Sequence, residues 1–390
     1  MSLAAGHPLI AIPGPSPLPE RVLRAANRAS PDIYGEELAA LNHNVMAQLK
    51  RLAGTKAHIA PYIGNGHAAW EASAANLFNR GDKALVITSG MFGRSWADYL
   101  GRLGVAIEVL DFGNDVADPA VLAARLADDR AGQIKAVLLC HIDTASGCMT
   151  DIPAIKAAMG DHPALLVVDA IASLGCAPML MDDWDVDVLI SASQKGLMSM
   201  SGASFVWFSE RVAQRGPTDL TTPYWNWHHR KDATELWAFW GGTPPVQLLF
   251  ALDEALRLIL DEQGLVDVWS RHAGLARAVW AAVDAWSAGN PDIRLGIADP
   301  ANRAASVTTI FLPGADRLRA WVSANCGVTL GVGLGADIPD GSLRLAHMGH
   351  CNAAMVMGAL GAMQAGLIAL AIPHDQGALE AAAKVIAEPV

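Results

Sequence analysis

Cysteine is scarce in this chain, and its pattern excludes two classes of protein. The 390 residues include five scattered cysteines, an odd number with no CxxC pair: Cys140, Cys148, Cys176, Cys326 and Cys351. Such a set fits neither a disulfide framework nor a zinc site, and it is typical of reduced thiols in the cytoplasm. The adjacent His228 and His229 point apart on any regular backbone, so no metal site is expected.

Charge is also scarce, and what there is has the wrong sign for an anionic partner. Charged residues make up 17% of the chain, the formal net charge is −11, and no block of lysine or arginine occurs. These values argue against nucleic acid and against an anionic membrane surface as partners. Because 52% of the residues are hydrophobic, we expect a multimer that covers apolar surface.

A signal peptide and a convincing membrane span are missing as well. The first eight residues have neither the charged nor the apolar region of a secretory signal. Residues 353–372 are long and apolar enough to satisfy the length rule for a membrane span, with Gln364 as the one strongly polar side chain. They are mostly Ala, Gly and Met, without a flanking Lys/Arg pair, so a buried or subunit-facing helix is the preferred interpretation.

Short β-branched runs alternate with helical Ala/Leu patterns over the first half of the chain. The runs are residues 58–63, 84–88, 106–111, 135–140, 164–169, 186–191 and 203–208. This alternation predicts an α/β fold with a mainly parallel, seven-stranded sheet covered by helices on both faces.

Later parts of the chain change in character. Residues 216–245 are rich in proline and aromatics and predict a long irregular excursion that serves as a site wall or subunit contact. A helical stretch over 246–288 then leads to a smaller C-terminal α+β unit with strands at 306–311 and 342–346. We predict a large domain over 15–262 and a small domain over 263–390 together with 1–14.

A lysine and an aspartate end two of the buried runs. Lys195 closely follows the run 186–191, and Asp169 ends the run 164–169. A lysine at such a position must shed its charge, pair it or bond covalently. Taken singly, Lys195 also fits a structural lysine, and Asp169 a buried cap or ion-pair partner. Together, at neighbouring strand ends, they predict a pyridoxal 5'-phosphate site, with Lys195 on the aldehyde and Asp169 on the ring nitrogen.

Residues 64–69 (GNGHAA) follow a strand and open a helical pattern, so their backbone N–H groups are suited to bind a phosphate. The same letters match the dinucleotide fingerprint G-x-G-x-x-[GA], which calls for an acidic residue at the end of the next strand. That strand ends in Thr88-Ser89-Gly90 instead, so a dinucleotide site is disfavoured. A phosphate cup and an ordinary helix start both remain open.

Three further residues are candidates on weaker signals. Thr144, after a buried strand, is placed to donate to the phenolic oxygen of the ring, although a polar turn explains it equally well. Phe92 is suited to cover the ring face or simply to fill the core. Arg344 lies between apolar residues on a short strand, where its guanidinium suits either a substrate α-carboxylate or an internal ion pair.

At this point the chain resembles the class V aminotransferases of fold type I, and within them the serine–glyoxylate and alanine–glyoxylate aminotransferases. The likeness covers nearly the whole chain and rests on motifs found in this order: PGPSPLP at 13–19, GNGHAAWE at 64–71, SQKGLM at 193–198, GVGLG at 331–335 and LRLAHMGHCN at 343–352.

The resemblance implies a transaminase that moves an amino group from serine or alanine to glyoxylate or pyruvate. It implies Lys195 and Asp169 in the roles given above, Phe92 and Ile171 on the two ring faces, and Thr144 near the ring hydroxyl. It further implies that the phosphate is held by Asn65, Gly66, His67 and Gln194, and that Arg344 binds the substrate carboxylate. Thr243 would reach the phosphate of the partner subunit in a homodimer.

The chain departs from the family pattern in several places. Residues 240–242 (WGG) replace a region that often carries tyrosine, and residues 32–35 (DIYG) differ from the His-Arg pattern of serine–glyoxylate enzymes. A pyridoxamine–pyruvate aminotransferase therefore stays open, although residues 336–343 lack the additional arginine of those enzymes. The sequence is also compatible with a lyase, with a desulfurase that uses Cys326 or Cys351 as a mobile thiol, and with a cofactor-free binding protein.

Overall fold

The computed structural model describes residues 2–335 and 341–388. Part of the region 336–343, whose lack of arginine was noted above, therefore lies outside the described residues. The strands are β1 (Leu9–Ala11), β2 (His58–Ile63), β3 (Lys83–Thr88), β4 (Ala106–Asp111), β5 (Ile134–Cys140), β6 (Ile142–Asp143), β7 (Cys148–Met149), β8 (Leu165–Asp169), β9 (Val188–Ala192), β10 (Ala203–Phe208), β11 (Arg294–Leu295), β12 (Val307–Phe311), β13 (Val328–Val332) and β14 (Ser342–Ala346).

The helices alternate with the strands in the first half of the chain and dominate the second. They are α1 (Glu20–Ala26), α2 (Glu36–Leu52), α3 (Gly66–Leu77), α4 (Met91–Arg102), α5 (Pro119–Asp128), α6 (Ile152–Met159), α7 (Glu210–Ala213), α8 (Trp227–Lys231), α9 (Leu236–Trp240), α10 (Val246–Arg257), α11 (Leu265–Gly289), α12 (Ala315–Cys326), α13 (Ala353–Ala369) and α14 (Ala378–Ala387). One π-helical turn, Leu258–Gln263, lies between α10 and α11.

The seven runs predicted as strands form one seven-stranded sheet, in the order β2-β10-β9-β8-β5-β3-β4. β10 is antiparallel to both of its neighbours, and the other described pairs are parallel. The predicted α/β class and mainly parallel sheet are therefore confirmed. Since β10 reverses direction between β2 and β9, the carboxyl ends of β2, β9, β8, β5 and β3 lie at one edge, where α/β proteins place their ligands.

Apolar side chains on both faces hold this sheet between helices. Along β8, Val168 packs in one buried cluster with residues of α2 and α10, while its neighbour Val167 packs in a second cluster with α3 and α4. Burial of each such side chain contributes about 1.5–3 kcal/mol. The continuous rather than alternating hydrophobicity of these strands thus follows from their having a core on each side.

A second sheet, in the order β1-β13-β14-β12-β11, has its own core against α11, α12, α13 and α14. β1 reaches it from the start of the chain and pairs in parallel with β13. The assignment of residues 1–14 to the small domain stays a prediction. The boundary at residue 262 stays a prediction. Among the described residues, no helix is long and apolar enough to cross a membrane.

The irregular excursion at 216–245 contains two short helices that the sequence did not reveal, α8 and α9. Asn226 starts α8 by accepting a hydrogen bond from His228 N–H. Arg230 in α8 is 1% exposed, and its guanidinium donates to the carbonyls of Pro61, Phe239 and Tyr224. A buried arginine therefore fixes this segment to the edge strand β2.

Candidate active site

A cavity of about 340 Å³ opens at the carboxyl edge of the large sheet. It brings together residues from six separate parts of the chain. The lining residues are Gly14, Pro15, Asn65, Gly66, His67, Trp70, Phe92, Cys140, Ile142, Thr144, Asp169, Ile171, Ala172, Gln194, Lys195 and Ser201. Nine of the eleven residues predicted for the site are in this set, and the other two, Arg344 and Thr243, are described below.

Lys195 lies in the turn after β9, and its amine points toward the N-terminal segment. Its Nζ donates to the carbonyl oxygen of Pro13. Burial, reinforced by the positive charge of Arg344, lowers the pKa of Lys195 from 10.5 to about 8. A lysine with such a pKa has a substantial neutral fraction near neutral pH, which is the form that attacks an aldehyde or accepts a proton.

Gly14 and Ser16 of the N-terminal segment contact the turn that carries Gln194 and Lys195. Ser16 donates its hydroxyl to the carbonyl oxygen of Lys195 at 2.8 Å, and Ser16 N–H donates to Gln194 O at 2.9 Å. Gly14 has φ +102°, and a Cβ there would lie 2.7 Å from Lys195 Cε. The glycine is required because the lysine stem passes directly against its backbone.

Asp169 ends β8 and is 4% exposed. Its Oδ1 accepts the backbone N–H of Ile171 at 2.8 Å, and its Oδ2 accepts the indole N–H of Trp70 at 2.7 Å. Burial raises the pKa of Asp169 from 3.8 to about 6, although these two hydrogen bonds favour the ionised form. The carboxylate is therefore still mostly charged near neutral pH and suited to face a cationic ring nitrogen.

The first turn of α3 forms one wall of the cavity. Asn65 caps this helix by accepting the N–H of His67 at 3.1 Å. A Cβ at Gly66 would lie 2.2 Å from Cδ1 of Ile171, so a larger residue there would require the Ile171 side chain to shift. Gln194 lines the same cavity, and its buried Oε1 has no hydrogen-bond partner among the described residues.

A buried carboxylate that the sequence analysis did not single out organises the opposite wall. Asp143 is 1% exposed and accepts the N–H groups of Gly93 at 3.0 Å and Ala145 at 2.9 Å. These bonds join the start of α4, which carries Phe92, to the turn that carries Thr144. Burial raises the pKa of Asp143 above its usual range.

Arg344 lies in β14 of the second sheet and reaches this turn. Its Nη1 donates to Thr144 O at 2.9 Å, and its Nε donates to Val332 O at 2.7 Å. Among residues 2–335 and 341–388, no carboxylate forms an ion pair with Arg344, so the internal ion pair considered above is not found in this part of the chain. Burial lowers the pKa of Arg344 to about 10, and the guanidinium stays charged at neutral pH.

Thr243 lies apart from the cavity, in an exposed position between α9 and α10. It is not among the lining residues, and its predicted role in a partner subunit stays a prediction. Cys326 and Cys351, the thiols that a desulfurase would need, are not among the lining residues either. The thiol that does line the cavity is Cys140, at the end of β5.

Sequence reasoning missed several lining residues because their partners lie far away along the chain. Trp70, Gly14 and Pro15 lie in the motifs quoted above, but no chemistry was assigned to them. The signal that could have identified Trp70 is an indole N–H one helical turn after the candidate phosphate cup. Its acceptor, Asp169, is 99 residues away, and no local pattern predicts such a pairing.

Comparison with known proteins gives a consistent result. The family model for aminotransferase class-V matches residues 11–320. Serine–glyoxylate aminotransferase of Methylorubrum extorquens is 32% identical over 385 residues, covering 95% of this chain and 94% of the relative.

Two solved structures are similar over the whole chain at 26% identity. Ureidoglycine–glyoxylate aminotransferase from Bacillus subtilis has a TM-score of 0.88 and 100% coverage of both chains. Pyridoxamine–pyruvate aminotransferase from Mesorhizobium loti also has a TM-score of 0.88, with 99% coverage of both chains. The fold, the cavity at the carboxyl edge and these likenesses agree: the chain is an aminotransferase that belongs to the class V family.

Proposed function

We propose that this enzyme is a pyridoxal 5'-phosphate-dependent transaminase that moves an amino group from a small amino acid, serine or alanine, to glyoxylate or pyruvate. The family implies the cofactor. The single observation that carries the proposal is the placement of Lys195 and Asp169 in one cavity, with Arg344 in contact with its wall.

The residues present fit this cofactor on three observations. Gly66 and Ile171 meet so closely that a Cβ at Gly66 would displace the Ile171 side chain, and the glycine leaves the backbone at the start of α3 bare. The first N–H groups of that 12-residue helix, with the positive end of its dipole, suit a phosphate. Gln194 lines the same cavity, and because its Oε1 is unpartnered, no hydrogen bond at that oxygen fixes its amide, so its Nε2 group would be able to donate to the phosphate.

Each residue would hold one part of the cofactor or the substrate. Lys195 binds the aldehyde carbon, and Asp169 binds the ring nitrogen. Phe92 and Ile171 cover the ring faces, and Thr144 lies near the ring hydroxyl. The phosphate end is held by Asn65, Gly66, His67 and Gln194.

Proton movement is assigned to Lys195. Bound pyridoxal phosphate supplies an electron sink that stabilises the charge left when a proton leaves the substrate α-carbon. The Lys195 amine would become free for this role when the amino group of the substrate takes its place on the aldehyde carbon. Because burial lowers its pKa to about 8, the free amine would accept that proton and return it at another carbon. Asp169 would remain ionised throughout and would stabilise the positive charge on the ring nitrogen. Arg344 would bind the substrate carboxylate and thereby set the direction of the α-hydrogen.

Arg344 also supports a donor with one carboxylate. Apart from His67, Lys195 is the only basic residue among the described residues that line the cavity. Arg344 is the arginine that contacts the cavity wall, at Thr144. A dicarboxylate donor would need a second guanidinium for its side chain. The relatives named above use different amino donors, so this argument, rather than the likeness, favours a small donor.

We further propose a cytoplasmic homodimer in which Thr243 reaches the neighbouring subunit's phosphate. The exposed position of Thr243 outside its own cavity supports this arrangement, as does the exposure of 52% of Trp237 on the same segment. All five cysteines are free thiols, which is compatible with a reducing compartment.

A half-reaction screen tests the proposal. The purified holoenzyme is mixed with serine, alanine, aspartate or pyridoxamine, and the loss of visible absorbance of the lysine-bound cofactor is recorded. We expect serine or alanine to bleach it and glyoxylate or pyruvate to restore it. Bleaching by pyridoxamine alone would favour the pyridoxamine–pyruvate reaction, and sulfide release from cysteine would favour a desulfurase. Transamination by Lys195→Ala at the wild-type rate would refute the assignment of the lysine.

A further inference from the structure

The Asp169 carboxylate has one strong donor on each oxygen, and only one of these donors is a side chain. Ile171 supplies a backbone N–H to Oδ1, and Trp70 supplies its indole N–H to Oδ2. The thiol of Cys140 is 3.9 Å from Oδ2 and is a weak donor at most. Without the indole, Oδ2 would keep only the thiol as a hydrogen-bond partner among the described residues.

Trp70 is held rigidly in the orientation that this hydrogen bond requires. Its side chain is 2% exposed. Its ring stacks on Trp96 with centroids 5.7 Å apart and planes at 14°. It also makes an edge-on contact with the ring of His67, with centroids 4.6 Å apart. Trp70 and His67 share the first turns of α3, so one short piece of helix contributes to both ends of the cavity.

The indole hydrogen bond bears directly on the charge of the carboxylate. An indole N–H can only donate, so it stabilises the ionised carboxylate at Oδ2. Burial alone acts in the opposite direction and disfavours that charge. If the indole N–H were removed, the carboxylate would be neutral over more of the physiological pH range, and the Ile171 N–H would be its one remaining strong donor.

We propose that Trp70 is a positioning residue for the cofactor, because its indole N–H holds the Asp169 carboxylate ionised and aimed at the ring nitrogen. This inference rests on the proposed function, since it requires pyridoxal phosphate in the cavity. It assigns to Trp70 a role that an ordinary core tryptophan does not have.

The test compares Trp70→Phe with a matched control, Trp96→Phe. Trp96 is also buried and belongs to the same stack, but its Nε1 has no hydrogen-bond partner among the described residues. Dissociation constants are measured for pyridoxal phosphate and for the analogue in which C–H replaces the ring nitrogen. The analogue has no group for Asp169 to bind, so it reports all the other contacts of the cofactor without that one.

We expect Trp70→Phe to weaken pyridoxal phosphate binding by about tenfold or more, the range for a hydrogen bond to a charged group. Binding of the analogue should change by less than about threefold, and Trp96→Phe should affect both ligands equally. Equal weakening of both ligands by Trp70→Phe, or no weakening of either, would overturn the inference. Failure of the wild-type enzyme to bind pyridoxal phosphate would instead refute the proposed function.

A second measurement needs no change at Trp70. In wild-type protein carrying ¹⁵N-labelled tryptophan, one indole signal should follow the titration of a carboxylate, and the same signal should move most in Asp169→Asn. An absence of any indole signal that responds to Asp169→Asn would contradict the inference, even if Trp70→Phe did not fold.

Discussion

The contact between Gly66 and Ile171 gives a prediction that can be worked out atom by atom. A Cβ at Gly66 would lie 2.2 Å from Cδ1 of Ile171, 3.3 Å from Cγ1 and 3.8 Å from Cγ2. In Gly66→Ala the Cδ1 methyl group must therefore move, and the space next to it is the cavity. Ile171→Val removes Cδ1 and leaves contacts that a new methyl group can tolerate.

The magnitudes predict strong non-additivity. Overpacking of this kind costs about 1–3 kcal/mol, and alanine in place of glycine in a helix returns up to about 1 kcal/mol. Gly66→Ala alone should therefore destabilise the protein by up to about 3 kcal/mol. Ile171→Val alone should cost about 0.5–1.5 kcal/mol. The double variant should be at least as stable as Gly66→Ala, because the clash is gone.

Urea unfolding of the four cofactor-free proteins measures this cycle, with Gly361→Ala as the control. A Cβ at Gly361, within α13, would meet no atom within 4 Å, so that variant should be neutral or stabilised. The affinity for pyridoxal phosphate should fall in Gly66→Ala and recover in the double variant. Additive effects within about 0.5 kcal/mol, or a Gly66→Ala protein as stable as wild type, would refute the reasoning.

Three further predictions follow from the same site. In Arg344→Lys, an ammonium cannot replace the planar fork that donates to Val332 and Thr144, so KM for both substrates should rise by about tenfold or more with cofactor affinity unchanged; an unchanged KM would argue against carboxylate binding. In Gly90→Ala, the new Cβ would lie 2.4 Å from the carboxyl carbon of Asp143, and urea unfolding should show a loss of about 1–3 kcal/mol; no loss would contradict the role of Asp143. The pKa of Lys195 is lowered from 10.5 to about 8, so between these pH values the unfolded chain binds more protons than the folded cofactor-free protein. The free energy of unfolding should therefore rise by about 3 kcal/mol as pH increases through that window. This gain should be lost again as pH falls through 8. Lys195→Met should flatten this rise in the unfolding free energy, and an equal rise in both proteins would contradict the lowered pKa.

Most of the sheet could be predicted from sequence because its inner strands are buried on both faces. Runs such as residues 58–63 and 203–208 coincide with β2 and β10, since continuous apolar runs between turn signals have few other stable arrangements. The predicted helical stretch over 246–288 is divided by a π-helical turn and by Gly264, whose φ is +87°. An apolar helical pattern does not reveal such an interruption.

The sequence could predict that Lys195 and Asp169 lie in one place, but not which residues hold them there. Asp169 ends β8 and Lys195 follows the neighbouring strand β9, and the topology of a parallel sheet places such positions together. The partners that hold Asp169 and Arg344 come from distant segments: Trp70 lies 99 residues before Asp169, and Thr144 lies 200 residues before Arg344. Contacts of this kind depend on tertiary packing and leave no periodic signal in the sequence.

The most direct test of the proposed function is to identify the residue that bonds to the cofactor. The yellow holoenzyme is reduced with borohydride, digested, and searched by mass spectrometry for a lysine carrying the reduced cofactor. We expect the label on Lys195, and no label in Lys195→Ala. A label on any other lysine, or unlabelled protein from a fully loaded sample, would contradict the proposed function.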